Sequence, residues 1–123
     1  MKTLLALCLF ALLPVRASAQ AIADVNNPSK IEFTVSTDHD RVTNYELDIL
    51  RPDGSVLQTL NLGKPTPDAN GLVDVPLNVQ PVTFGKGYSV QVRAIANGAL
   101  SDNAPSVNKF NRVPGSSSKV VAK

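Results

Sequence analysis

Residues 88–98, with the sequence YSVQVRAIANG, carry the clearest structural signal in this chain. Apolar and polar side chains alternate along the segment, which is typical of a strand with one buried face. One face would hold Tyr88, Val90, Val92, Ala94 and Ala96, and the other Ser89, Gln91, Arg93 and Ile95. Asn97-Gly98 is a dipeptide that accepts positive φ angles in tight turns. The segment therefore predicts a strand that ends in a hairpin turn.

The same period of two recurs on both sides of this strand, and no sustained helical period follows residue 19. Pro52-Asp53-Gly54 favours a tight turn between two of the repeats, and Pro76 favours a sheet edge because it lacks an N–H donor. Seven short strands predict an all-β, antiparallel β-sandwich. Besides residues 88–96, the predicted strands are residues 22–25, 31–35, 45–49, 55–62, 73–77 and 107–113.

The first nineteen residues have the layout of a secretory signal peptide. A positive start at Lys2 precedes an apolar run over residues 3–13, and a small-residue cleavage pattern ends at Ala19. We expect cleavage between Ala19 and Gln20 and an exported protein, either periplasmic or extracellular. The domain organisation is then a signal peptide over 1–19, a β-sandwich over 20–113 and a flexible basic tail over 114–123.

Two alternatives to cleavage, an uncleaved anchor and a lipoprotein, meet physical objections. The apolar run is shorter than the roughly 20 residues that cross a bilayer. Cys8 follows the bulky Leu7, whereas a lipidated cysteine normally follows a small residue next to the cleavage point. We therefore expect no stable membrane insertion after cleavage.

Cleavage changes the charge and the cysteine content of the chain. The 123 residues include 12 Lys and Arg and 10 Asp and Glu, and removing Lys2 and Arg16 leaves ten of each sign. A net charge near zero argues against nucleic acid as a partner. The only cysteine, Cys8, leaves with the signal, so no disulfide or thiolate site remains. We expect the mature protein to be a monomer rather than an obligate oligomer.

Two segments resemble a known family. Residues 45–49 followed by a hairpin, and residues 88–98 with Ser101 beyond them, resemble strands C and F of fibronectin type III domains over about residues 28–113. The resemblance implies an immunoglobulin-like sandwich in a single-domain form, with one sheet of strands A, B and E and a second of C′, C, F and G. The absence of cysteines and of Asn-x-Ser/Thr sequons after residue 19 favours a bacterial exported protein. Val82 stands where the family has a leucine, so the Tyr88 hydroxyl is expected to find its backbone partner in a rebuilt corner.

Catalysis is disfavoured by the residue inventory. His39 is the single histidine, and no cysteine or Gly-x-Ser-x-Gly motif accompanies it after cleavage. Acid–base or nucleophilic chemistry needs a base beside a nucleophile in a pocket. We read the segment around His39 as a solvated loop, and we expect neither an enzyme nor a cofactor.

Cation and glycan binding stay open as an alternative function for a module of a cell-surface assembly. Asp38 and Asp40, with help from Asp102, are the candidate cation ligands, although calcium takes six to eight oxygens. Phe84 and Phe110 are the candidate aromatic platforms for a sugar. Clustering of the three carboxylates would favour a cation, and an exposed platform would favour a glycan.

The outer face of the predicted C–F pair is one candidate surface for a protein partner. Leu50 and Ile95 are expected to face outward near the same end of the pair. Arg93 is expected on the same face, near Glu46 or Asp48, as a surface contact worth well under ~1 kcal/mol.

The loop over residues 63–71 is the second candidate surface. Pro65 and Pro67 stiffen it, and Lys64 adds a charge, so the loop could meet a partner at low entropic cost. The sequence therefore predicts a non-enzymatic adaptor that acts through protein–protein contact and requires no cofactor.

Overall fold

The computed structural model describes residues 22–123. The predicted signal peptide and its cleavage site between Ala19 and Gln20 lie outside these residues. Apart from a single 3-10 turn at His39–Arg41, the regular structure of the described part is made of strands. No helix in residues 22–123 has the length and apolar character needed to cross a membrane.

The strands confirm the predicted all-β sandwich. Their order in the described residues is β1 (Val25–Asn26), β2 (Lys30–Thr34), β3 (Asn44–Leu50), β4 (Val56–Gly63), β5 (Leu72–Pro76), β6 (Gly85–Ala96), β7 (Ala99–Leu100), β8 (Ala104–Pro105) and β9 (Phe110–Arg112). The last three strands all pair with β6 and form one interrupted strand. Counted that way, the described chain has the seven strands that the sequence predicts.

The two layers are unequal in size. The larger sheet has the order β1-β9-β6-β3-β4, with β7 and β8 also on β6, and the smaller sheet contains β2 and β5 alone. The resemblance placed the first strand beside β2, and this prediction is wrong. Instead, β1 pairs in parallel with β9, with Val25 opposite Phe110. The Val25 N–H donates to the Lys109 carbonyl at 3.1 Å, and Asn27 turns the chain away with a φ of 47°.

Both predicted turns are confirmed. At Pro52-Asp53-Gly54 the Asp53 carboxylate accepts the Ser55 N–H at 2.9 Å, and Gly54 has a φ of 88°. Asn97 and Gly98 have φ angles of 52° and 79°, as a type I′ turn requires. These turns fix the registers of β3 against β4 and of β6 against β7.

The core lies between the sheets and is densest under β3, where Leu47 and Ile49 are 0% exposed. Tyr88 lies on β6 two residues before Val90, the partner of Ile49, and its hydroxyl donates to the Thr83 carbonyl at 2.9 Å. This bond confirms the predicted backbone partner in a rebuilt corner. The Tyr88 ring stacks on Phe110 with 5.5 Å between centroids.

Two serines hold the interrupted strand against β6. Where the backbone bulges away, the Ser101 hydroxyl accepts the Ala94 N–H at 2.8 Å and the Ser106 hydroxyl accepts the Val90 N–H at 3.2 Å. These hydroxyls satisfy β6 donors that a continuous neighbouring strand would pair with its own carbonyls.

Candidate functional site

An open cleft of about 750 Å³ separates the edge of β2 from the interrupted strand. One wall is β2, and the other is formed by residues 101–109. Side chains of the core form its floor, so the cleft reaches the interior of the sandwich. The floor residues are Tyr45, Leu77, Val90, Val92 and Ala94.

Core residues beside the cleft are more exposed than the core residues of β3. Val90, Val92 and Ala94 on β6 are 8 to 9% exposed, whereas the neighbouring core residues of β3 are fully buried. Ala104 pairs with the inward-facing Val92, so its side chain points to the same side, yet Ala104 is exposed. The core is therefore slightly more exposed along β6 than along β3, on the side where no strand of the described chain lies beside β2.

The free edge of β2 can be assigned residue by residue. The Val35 N–H donates to the Gly71 carbonyl, and the Ser29 carbonyl accepts the Leu77 N–H, both at 2.9 Å. Antiparallel pairs alternate between bonded and non-bonded positions. Ile31 and Phe33 therefore also bond to β5, and the three residues whose backbone groups point into the cleft are Lys30, Glu32 and Thr34.

The charges at the cleft are balanced. Lys30 and Glu32 lie on the β2 wall, and Asp102 and Lys109 lie on the opposite wall. Arg93 also lines the cleft, but its guanidinium is paired with Glu46 and Asp48. The two cations and two anions of the walls therefore give no strong local field.

The strand and turn patterns of the sequence did not predict this cleft. A usable signal was the polar, breaker-rich composition of residues 101–109, SDNAPSVNK, which interrupts the last strand.

The outer face of the larger sheet carries a compact polar network. Arg93 contacts Glu46 at 2.8 Å and Asp48 at 2.6 Å, which confirms the predicted proximity to both acids. Asp48 is only 3% exposed although no element covers this face, because Arg93, Thr59 and Gln91 enclose it. The network is more buried than the solvated contact expected from the sequence.

Hydrogen bonds from Arg93 lower the pKa of Asp48 to about 2, below its ordinary 3.8. Burial opposes this shift, and the bonds from Thr59 and Gln91 add to it. Glu46 accepts from Nε and Nη2 of Arg93, and Asp48 accepts from Nη1 and Nη2. Arg93 therefore keeps a single N–H, on Nη1, for any further contact.

The strand register corrects one expectation about this face. Ile95 pairs with Asn44 at one end of the β3–β6 ladder, whereas Leu50 pairs with Ser89 at the other. The two apolar residues are thus about 20 Å apart at about 3.3 Å per residue, and they do not form one patch.

The loop after β4 crosses from the larger to the smaller sheet. Lys64 is exposed, and its Nζ lies 3.5 Å from the Asp40 carbonyl, while Pro65 and Pro67 are half-buried. Asp68 closes the loop, because its carboxylate accepts N–H groups from the turn that leads into β5. The structure thus places Lys64 beside the 3-10 turn and starts the loop at the end of β3 opposite Leu50.

His39 is engaged with the core. Its Nδ1 lies 2.8 Å from the hydroxyl of the buried Tyr45, which also accepts the Ser36 N–H at 3.0 Å. Because Tyr45 accepts from Ser36, its own proton is available to Nδ1. His39 therefore supports the packing of Tyr45 in this arrangement.

The three candidate carboxylate ligands for a cation do not form one cluster. Asp38 and Asp40 flank the start of the 3-10 turn, and Asp102 lies on the cleft wall. Within residues 22–123, no three side chains of His, Cys, Asp or Glu are placed to share a metal ion.

The aromatic candidates differ in exposure. Phe110 is 5% exposed and stacked on Tyr88, so it offers no platform. Phe84 is 62% exposed, and the Arg112 guanidinium carbon lies 4.9 Å from its ring centre. In the described part of the chain, Phe84 is the one exposed aromatic side chain, and the Arg112 cation lies beside it.

Comparisons with known proteins add one structural likeness. No protein-family model matches the chain, and no curated protein matches it. The chain is similar to the extracellular domain of mouse leukocyte-associated immunoglobulin-like receptor 1, solved as a strand-swapped dimer. The identity is 14%, the TM-score is 0.37, and the match covers 91% of this chain and 99% of that one. The fold described above rests on the strand order of the chain itself.

Proposed function

We propose that this protein is an exported, non-enzymatic binding module that contacts another protein through the cleft beside β2. The observation that carries the proposal is an apolar floor that reaches the core next to an unpaired strand edge. Open apolar surface and unpaired edge groups are costly in a free monomer, and both are features of binding grooves.

Further features of the chain support the finer parts of this proposal. The layout of residues 1–19 supports export to the periplasm or beyond. The engagement of His39 with Tyr45 supports a role other than catalysis. The order β4-β3-β6-β9 matches the C′, C, F, G order of fibronectin type III domains and supports that affinity. The balanced mature charge supports a partner other than nucleic acid.

The test is a cross-linked pull-down of C-terminally tagged protein from its own host, identified by mass spectrometry. Ala104→Arg places a large charged side chain in the cleft from an exposed position. Ile95→Arg makes the matched change on the outer face of the larger sheet. We expect one stoichiometric partner that Ala104→Arg loses and Ile95→Arg retains.

Other outcomes contradict the proposal in distinct ways. Loss with Ile95→Arg alone would move the contact to the outer face. Retention by both variants would move it to the loops, including residues 64–67. Absence of any specific protein would remove protein binding as the function.

A further inference from the structure

We infer that the cleft accepts an extended β-strand from another polypeptide, which adds to the free edge of β2. This inference rests on the proposed binding function and specifies its mode. Strand addition joins main-chain hydrogen bonds along an edge to side-chain contacts at every second residue. The cleft supplies both kinds of contact on adjacent surfaces.

The backbone of β2 is the first argument. Lys30, Glu32 and Thr34 present their N–H and C=O groups away from β5, and no strand within residues 22–123 pairs with them. These groups recur at every second residue, a repeat of about 7 Å. Another strand satisfies such a row with its own backbone, whereas a helix bonds its backbone groups internally.

The size of the cleft is the second argument. In packed sheets, strands lie about 4.8 Å apart, sheets about 10 Å apart and residues about 3.3 Å apart, so a strand residue fills about 160 Å³. The 750 Å³ of the cleft is therefore large enough for a strand of about five residues. The β2 strand itself has five residues, so the cleft has room for a partner strand along its length.

The floor defines the chemistry of the incoming segment. Alternate residues of an added strand would face Val90, Val92 and Ala94, so they must be apolar and of moderate size. The residues between them would face solvent. Because the charges on the walls balance, the segment needs no net charge, and recognition depends on backbone bonds and apolar alternation.

Neither described end of this chain occupies the free edge of β2. The Ala23 carbonyl accepts a hydrogen bond from Asn108 on the opposite wall, and Ile22 is 56% exposed. Val120 and Val121 in the tail are 84% and 69% exposed. Neither end pairs with β2 in the described part of the chain, which favours a segment from another polypeptide.

The experiment measures binding of a synthetic peptide, Lys-Thr-Val-Thr-Val-Thr-Val-Thr-Lys, to residues 20–123 by calorimetry. A peptide of the same composition with its valines consecutive is the control ligand. Glu32→Pro removes an N–H that faces the cleft and leaves the bonds to β5 intact. Glu32→Thr removes the same charge and keeps the N–H.

We expect Glu32→Pro to weaken binding about tenfold, the equivalent of one lost hydrogen bond, and Glu32→Thr to bind like the wild type. Equal effects of the two variants would overturn strand addition. Thermal melts check that both variants fold.

Amide hydrogen exchange by NMR tests the same point without a substitution. The bound peptide should protect the amides of Lys30, Glu32 and Thr34 and leave those of Ile31 and Phe33 unchanged, because the latter already bond to β5. Protection elsewhere would contradict the inference.

Three outcomes separate the failure of this mode from the failure of the proposed function. Absence of peptide binding, together with a pulled-down partner that Ala104→Arg loses, overturns strand addition and keeps the binding function. Peptide binding that appears only after deletion of residues 20–24 shows that the chain's own N-terminus fills the cleft. A dimer by light scattering with a protected β2 edge assigns the cleft to a second copy. The last two outcomes also overturn the inference.

Discussion

Asp48 shows how a side chain on an outer sheet face becomes buried. Bonds from Arg93, Thr59 and Gln91 enclose its carboxylate, and its pKa falls to about 2 from an ordinary 3.8. Unfolded chains bind the Asp48 proton more readily than folded ones, so the stabilisation is present above about pH 4 and is lost as pH falls towards 2. We expect a loss of about 2 kcal/mol over this range.

Asp48→Asn tests this dependence through urea unfolding at pH 2, 3, 4 and 7. The substitution should lower the free energy of unfolding at pH 7 by about 2 kcal/mol and flatten its fall below pH 4. Asp74→Asn is the control, because Asp74 is 54% exposed and its ion pair with Lys30 is long, at 3.9 Å. An unaltered acid dependence in Asp48→Asn would show that other groups cause it.

At the scale of elements, the β6–β7 hairpin depends on its turn. Gly98 has a φ of 79°, and a Cβ added there meets no atom within 4 Å. The cost of Gly98→Ala is therefore conformational, about 1 kcal/mol, and it should lower the melting temperature by several degrees. Gly115→Ala is the control, because Gly115 has equal space and no positive φ. Equal melting temperatures would mean that the turn carries no such strain.

Local sequence patterns predicted individual strands and turns well, but they did not predict which distant strands pair. Asn97-Gly98 and the period of two fixed β6 because the turn and the strand depend on neighbouring residues. The pairing of Val25 with Phe110 joins residues 85 positions apart, and no local pattern encodes that choice. The opposite positions of Leu50 and Ile95 follow from the register, which alternation alone does not specify. The cleft is a consequence of these pairings, so the residues that line it could not be grouped in advance.

At the scale of the molecule, the segments that follow β1 and β9 are hydrogen-bonded to each other beside the larger sheet. The Asn27 side chain accepts the Val113 N–H at 3.0 Å and donates to the Val113 carbonyl at 3.0 Å. Beyond this link, residues 114–123 are exposed, and none of the hydrogen bonds in the described part involves them. Val113 is therefore the last residue of the described chain with a hydrogen bond to the sandwich.

Two truncations test where the packed unit ends. Removing residues 114–123 should leave the melting temperature within about 2 °C of the wild type, because the tail makes no packing contact. Removing residues 110–123 should abolish cooperative unfolding in thermal circular dichroism, because it deletes the buried Phe110 and the strand that pairs with both β1 and β6. That loss includes an aromatic core residue, worth about 3–5 kcal/mol by itself. A large drop from the shorter truncation would place the tail against the sandwich and contradict its assignment as a flexible segment.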